Sequence, residues 1–138
     1  MTVEELKHIL RSAEFAQKSL ENELDKLQEL RSLAEKMTPC YSLAPSGSST
    51  GRSLENAVVK ISAQEQEIIR DCDRLCQKLY EVRKLIALLP DGMMKVIMQR
   101  RYTNYQKWEQ IAADLGYSWR QIHRLHSKAL KIILLKEQ

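Results

Sequence analysis

No stretch of this sequence is apolar for long enough to cross a bilayer. Hydrophobic runs stop well short of the roughly 20 residues a membrane helix needs, and the opening MTVEELKH is too polar for a signal peptide's hydrophobic segment. A cytoplasmic protein without a membrane partner is expected. Glycine (4), proline (3) and phenylalanine (1) are scarce, while Leu, Ile, Glu, Lys, Gln and Arg abound. These are helix formers, so the fold class expected is all-α with no sheet. The three cysteines, Cys40, Cys72 and Cys76, form no ligand set with the scattered His8, His123 and His126. They are expected to be reduced thiols buried in a helical core, with no metal bound. Catalytic spacing is missing too: there is no nucleophile–base pair, no glycine-rich phosphate cradle and no carboxylate pair distinct from surface positions. The sequence points to a non-enzyme without a cofactor.

What the chain has instead is heptads. From Val3 to about Lys36 a seam runs through Leu6, Leu10, Ala13, Gln17, Leu20, Leu24, Leu27, Arg31 and Ala34. Residues 38–52, TPCYSLAPSGSSTGR, combine two prolines, two glycines and many small hydroxyl residues, the composition of a flexible linker with a protease-sensitive tip at 46–51. From Ser53, a suitable N-cap, to Leu89 the heptads resume. One row is Val58, Glu65, Cys72, Leu79 and Ile86, the other Ile61, Ile68, Leu75, Val82 and Leu89. Two helices on the order of 50 Å long, joined by that linker, predict an antiparallel hairpin over residues 1–89. The hairpin should return Leu6–Leu10 beside Leu85–Leu89. Extra apolar residues at Ile69, Cys76, Leu85 and Leu88 leave a second surface to cover, so a homodimer through residues 1–89 is expected.

Residues 90–138 form a second expected domain. Pro90, Asp91 and Gly92 end the hairpin, and a short helix follows over 93–101 with Met94, Ile97 and Met98 inward. The chain turns at Tyr102–Gln106 and enters WEQIAADLGYSWRQIHRLHSKA, residues 108–129, which reads as a helix-turn-helix. Ile111, Ala112 and Leu115 share one face, Gly116 supplies a residue able to take positive φ, and Ser118 caps the next helix. That helix, 118–131, buries Ile122, Leu125 and Ala129 and turns Arg120, His123, Arg124 and Ser127 outward, either to solvent or to a major groove. Trp108, Tyr102 and Tyr117 are expected inside the domain. Residues 1–36 carry 6 basic and 8 acidic side chains and residues 53–89 carry 6 of each, whereas residues 90–138 carry 9 basic and 4 acidic. Positive charge gathered on this segment suits a nucleic-acid partner.

The stretch LPDGMMKVIMQRRYTNYQKWEQIAADLGYSWRQIHRLHSKAL resembles region 4 of sigma-70-type transcription factors, which reads promoter DNA. Leu89-Pro90, Arg101-Tyr102, Ile111-Ala112, Leu115-Gly116, Ile122 and Lys128-Ala129-Leu130 carry the resemblance. It implies double-stranded DNA as partner, with bases met by Trp119, Arg120, His123 and Arg124, and flanking or phosphate contacts from Ser118, Gln121 and Lys128. Arginine can bond guanine bidentately and glutamine adenine; Trp119 could equally close the core. The whole chain, with Thr38-Pro39-Cys40-Tyr41-Ser42 in its linker, is similar to small phage and prophage proteins of Gram-positive bacteria related to RinA-like and ArpU-like late-gene regulators. No segment resembles the promoter-melting region of a complete sigma factor. The expectation is a sequence-specific regulator of phage or prophage genes, acting at the nucleoid and near RNA polymerase. The alternatives are a small-terminase-like packaging protein and a coiled-coil adaptor that binds polymerase or a sigma factor.

Overall fold

The structure, a computed structural model, describes the backbone of residues 1–43 and 48–138 and the side chains of residues 1–36 and 52–138. It is all-helical, with α1 (Val3–Leu43), α2 (Ser48–Ile86), α3 (Met93–Tyr102), α4 (Trp108–Leu115) and α5 (Trp119–Glu137), and no strand among the described residues. The two long helices form the expected hairpin but overrun their expected ends, at 41 and 39 residues. Ser53 is therefore interior to α2 instead of its N-cap. The 38–52 linker narrows, with α1 running through Pro39 to Leu43 and α2 starting at Ser48, although proline disfavours a helix interior. Residues 44–47, including the first part of the expected protease-sensitive tip, lie outside the described residues. At its other end α2 stops at Ile86. The amides of Leu88 and Leu89 bond back to the carbonyls of Leu85 and Ile86, a tightened last turn ahead of Pro90.

Packing groups the chain into two compact units, residues 1–17 with 74–138, and residues 18–73. In the first unit, Leu6, Leu10 and Ala13 of α1 are fully buried in one cluster with Val82, Ile86 and Leu89, with Met98 and Tyr102 of α3, and with Ala129, Leu130 and Ile133 of α5. The amphipathic start of α1 is thus a wall of the C-terminal core, and its Leu6–Leu10 turn lies beside Leu85–Leu89 as the hairpin requires. α5 continues to Glu137, beyond the expected 131, because Ile132, Ile133 and Leu134 extend its apolar stripe onto this cluster.

The second unit holds a correction to one of the two expected rows of α2, while Ile61, Ile68 and Leu75 of the other are half-buried or buried as expected. Its seam buries Leu20 and Leu27 of α1 against an α2 row of Ala57, Gln64 and Asp71, not Val58, Glu65 and Cys72. Val58 is 57% exposed, and Cys72 and Cys76 are exposed, so those two thiols are surface groups and not core ones. The side chain of Cys40 lies outside the described residues. One physical cause is visible in the seam. Gln64 donates from Nε2 to the carbonyl oxygen of Glu23 at 2.8 Å and to the Glu23 carboxylate, so a polar residue satisfies its hydrogen bonds in the seam. Toward the C-terminal half of α2 the inward positions return to the expected ones, with Leu75, Val82 and Ile86 buried and Leu79 half-buried. Arg31, expected in the seam, sits at its edge and pairs with Glu65 at 3.0 Å.

Candidate nucleic-acid interface

Three isoleucines, one from each of α3, α4 and α5, form the centre of the C-terminal helices. Ile97, Ile111 and Ile122 have no exposed surface, and Trp108, Ala112, Leu115, Tyr117 and Leu125 pack round them. α4 ends because Gly116 takes φ 70° and ψ 27°, a left-handed conformation that glycine adopts without the steric penalty of a Cβ. The Ala112 carbonyl accepts from the Gly116 amide and, at 3.1 Å, from the Tyr117 amide, so the turn satisfies its own backbone. Ser118 then starts α5 through a capping box. Its hydroxyl oxygen accepts from the Gln121 amide at 3.2 Å, and the Gln121 side-chain oxygen accepts from the Ser118 amide at 2.9 Å.

The helices are locked together before α5 presents anything outward. Arg100 of α3 pairs with Asp114 of α4 at 3.1 Å, and Gln110 donates to the other Asp114 oxygen at 3.0 Å. Arg101 donates to the Gln106 carbonyl at 3.0 Å, and its guanidinium carbon stands 4.9 Å from the centre of the Trp108 ring. Lys95 pairs with Asp91, and Lys136 donates to the Leu88 carbonyl at 2.8 Å. Arg100, Arg101 and Lys136 are held within the fold by these contacts, whereas the Asp91 partner of Lys95 lies almost wholly in solvent. Arg120, Arg124, Lys128 and Lys131 of α5 are different: all four are exposed and make no ion pair among the described residues. They follow one another at helical spacing along the face opposite Ile122, Ala129 and Ile133.

The other residues expected at the interface are placed less simply. Trp119 is 54% exposed and lies outside the core; its ring centre is 4.1 Å from that of His123. His123 departs from the open face expected of it. It is half-buried between Trp119 and Trp108, whose centre is 5.1 Å away, and its Nε2 is covered with no hydrogen-bond partner among the described residues. Its ring supports the exposed tryptophan from below. Gln121 is exposed but its carbonyl oxygen serves the helix cap, and a bidentate adenine contact needs both that oxygen and the amide nitrogen. Tyr102 is buried and Trp108 and Tyr117 are half-buried, the inward placement expected of them.

Two features had no local signal in the sequence. His126 is buried, and its Nε2 shares a 2.7 Å hydrogen bond with the Tyr102 hydroxyl while the Trp108 ring meets it edge-on at 4.7 Å. Burial pushes its pKa down to about 4, with the charges of His123, Lys7, Arg101 and Arg11 adding to the effect. Lys7 and Arg11 themselves come from α1, and with Lys131 they border an open groove of about 320 Å³ along α5. Their proximity depends on α1 packing into the C-terminal core, which no pattern near residue 120 announces. Comparison of the chain with protein-family models, with curated proteins and with solved structures finds no match.

Proposed function

We propose that this chain is a sequence-specific double-stranded DNA-binding regulator, not an enzyme, and that α5 is the helix it lays in the major groove. One observation carries the reading. The capped, packed α5 turns Arg120, Arg124, Lys128 and Lys131 to solvent, while Arg100 and Arg101 of α3 and Lys136 near the end of α5 make contacts within the fold. A helix that offers bidentate arginines at its N-terminal half and lysines further along has the layout of base readout followed by phosphate positioning. Exposed Trp119 adds an aromatic ring at the tip that can meet a thymine methyl or a sugar. The resemblance to sigma region 4, and to phage and prophage late-gene regulators, points to promoter DNA of phage genes in the bacterial cytoplasm, with polymerase nearby.

The hairpin supplies a second half of the reading. Val58, Ile69 and Cys72 lie on one side of α2, exposed, with Ile69 at 61%. These exposed apolar side chains, with Glu65 among them, are what a homodimer would cover, pairing two reading helices for two half-sites. Ile69→Glu leaves the folded core untouched and should convert the dimer to monomer in sedimentation.

Selection of bound sequences from random duplexes tests the reading directly. A recovered motif whose affinity falls by about 1–3 kcal/mol in Arg120→Ala and in Arg124→Ala supports it. Unchanged affinity in the double variant removes α5 from the role. Ring-sized assemblies in light scattering would favour a packaging protein, and the lack of any salt-dependent duplex binding would favour a protein-binding adaptor.

A further inference from the structure

The groove beside α5 has a composition that the fold alone does not call for. Its rim carries Lys7 and Arg11 from α1 and Lys131 from α5, its polar lining includes Ser127 and His123, and no carboxylate among the described residues lines it. Lys7 does pair with Glu4 at 3.3 Å, but Glu4 has 84% of its side chain in solvent, where such a pair contributes little. Arg11 and Lys131 are exposed and make no ion pair among the described residues. Val3, Leu130 and Trp108 are its apolar lining. The positive field is felt inside the core as well, since Lys7 and Arg11 both act to disfavour protonation of His126.

We propose that this groove is a phosphate-binding site, in which Lys7 and Arg11 of α1 join Lys131 and Ser127 of α5 to hold the backbone of one duplex strand. The inference rests on α5 being the groove-reading helix. The major groove is about 12 Å wide, so a helix seated in it has a sugar-phosphate strand passing on either flank. Ser127 and Lys131 lie on the flank of α5 that continues from Arg120 and Arg124 toward α1, so the strand on that side meets the α1 cations. The N-terminal segment thereby does more than wall the core. It is the DNA-positioning arm of the domain, brought there by Leu6, Leu10 and Ala13 packing against α2, α3 and α5.

The test uses the full chain and the duplex recovered by selection. Affinity is measured over a range of salt for the wild type, for Lys7→Ala with Arg11→Ala, and for the charge-keeping pair Lys7→Arg with Arg11→Lys. Each phosphate contact contributes about 0.9 to the slope of log affinity against log salt. The alanine pair should lower that slope by about 1 to 2 and weaken all sequences alike, with the preference for the selected motif kept, and the charge-keeping pair should retain the wild-type slope. An unchanged slope in the alanine pair overturns the inference, as does an equal loss in the charge-keeping pair, while duplex binding by the wild type leaves the reading of α5 standing. A wild type with no salt-dependent duplex binding removes both. Circular dichroism of each variant confirms that the helices persist.

Discussion

The Tyr102 hydroxyl lies 2.7 Å from Nε2 of His126, joining the last residue of α3 to the middle of α5 inside the core. Both side chains are buried, so each polar atom depends on the other for its partner. Tyr102→Phe keeps the ring and its packing but orphans the His126 nitrogen. The expected cost is about 1–3 kcal/mol in urea unfolding, since leaving a buried group unsatisfied carries its full desolvation penalty. A double variant, Tyr102→Phe with His126→Phe, should recover part of that loss. If Tyr102→Phe unfolds at the wild-type midpoint, the hydrogen bond does not hold α3 to α5.

The same pair makes stability depend on pH. His126 in the folded protein titrates at about 4, below its ordinary 6.5, chiefly through burial. Between those values the unfolded chain binds a proton that the folded chain refuses, so stability is full above about 6.5 and declines as pH falls toward 4. The loss approaches roughly 3 kcal/mol at its limit. Burial pushes Tyr102 the other way, to about 12, so stability present below 10 is lost as pH rises through that interval. Denaturation of the wild type and His126→Gln at pH 7 and pH 5 separates the histidine from carboxylates such as Glu5. The wild type should lose more stability than the variant over that interval, and equal losses would show that His126 is not the titrating group.

What could be read from the chain was what is local. Gly116 in a left-handed turn, the Ser118 N-cap, the inward triad of Ile97, Ile111 and Ile122, and the α1 seam through Leu6, Leu10 and Ala13 all follow from short spacings and backbone sterics. In α2 the row of Ile61, Ile68, Leu75, Val82 and Leu89 was legible, but the place of Gln64 was not, because a pattern of apolar letters passes over a polar residue held in the seam by bonds to Glu23 on another helix. Cys72 and Cys76 were misplaced for the same reason. The half-burial of His123 depends on Trp108 of α4 as well as on Trp119 one turn before it, and the packing of α4 on α5 is not encoded in spacing along α5. Lys7 and Arg11 reach α5 only through tertiary packing of α1, so their part in the candidate site appears only in three dimensions.

That packing can be measured. Leu10 has no exposed surface and touches a cluster drawn from α1, α2, α3 and α5. Leu10→Ala should cost about 2–5 kcal/mol, the usual range for a large-to-small change in a close-packed core. Because the cluster is shared, amide exchange should quicken in α5 near Ala129–Ile133 as well as in α1. Faster exchange confined to α1 would mean that the N-terminal segment does not support the C-terminal helices.

Gly116 offers a cleaner perturbation of the candidate interface, since space and conformation can be separated there. A Cβ built on it meets nothing within 4 Å, so any cost of Gly116→Ala comes from the left-handed backbone at φ +70° and not from a clash. For an L-residue that conformation costs about 1–2 kcal/mol, and asparagine tolerates it better than alanine. Gly116→Ala should therefore lower stability by about that amount, with Gly116→Asn in between. Ala112 and Tyr117 would keep their backbone bond only if the strain is accepted, so the alternative to lost stability is a moved turn. A moved turn would carry the N-terminus of α5, with Arg120 and Arg124, away from its place. In that case duplex affinity falls further in Gly116→Ala than the stability loss explains, and an affinity equal to wild type at temperatures where the variant is fully folded shows that the turn holds and the strain is absorbed.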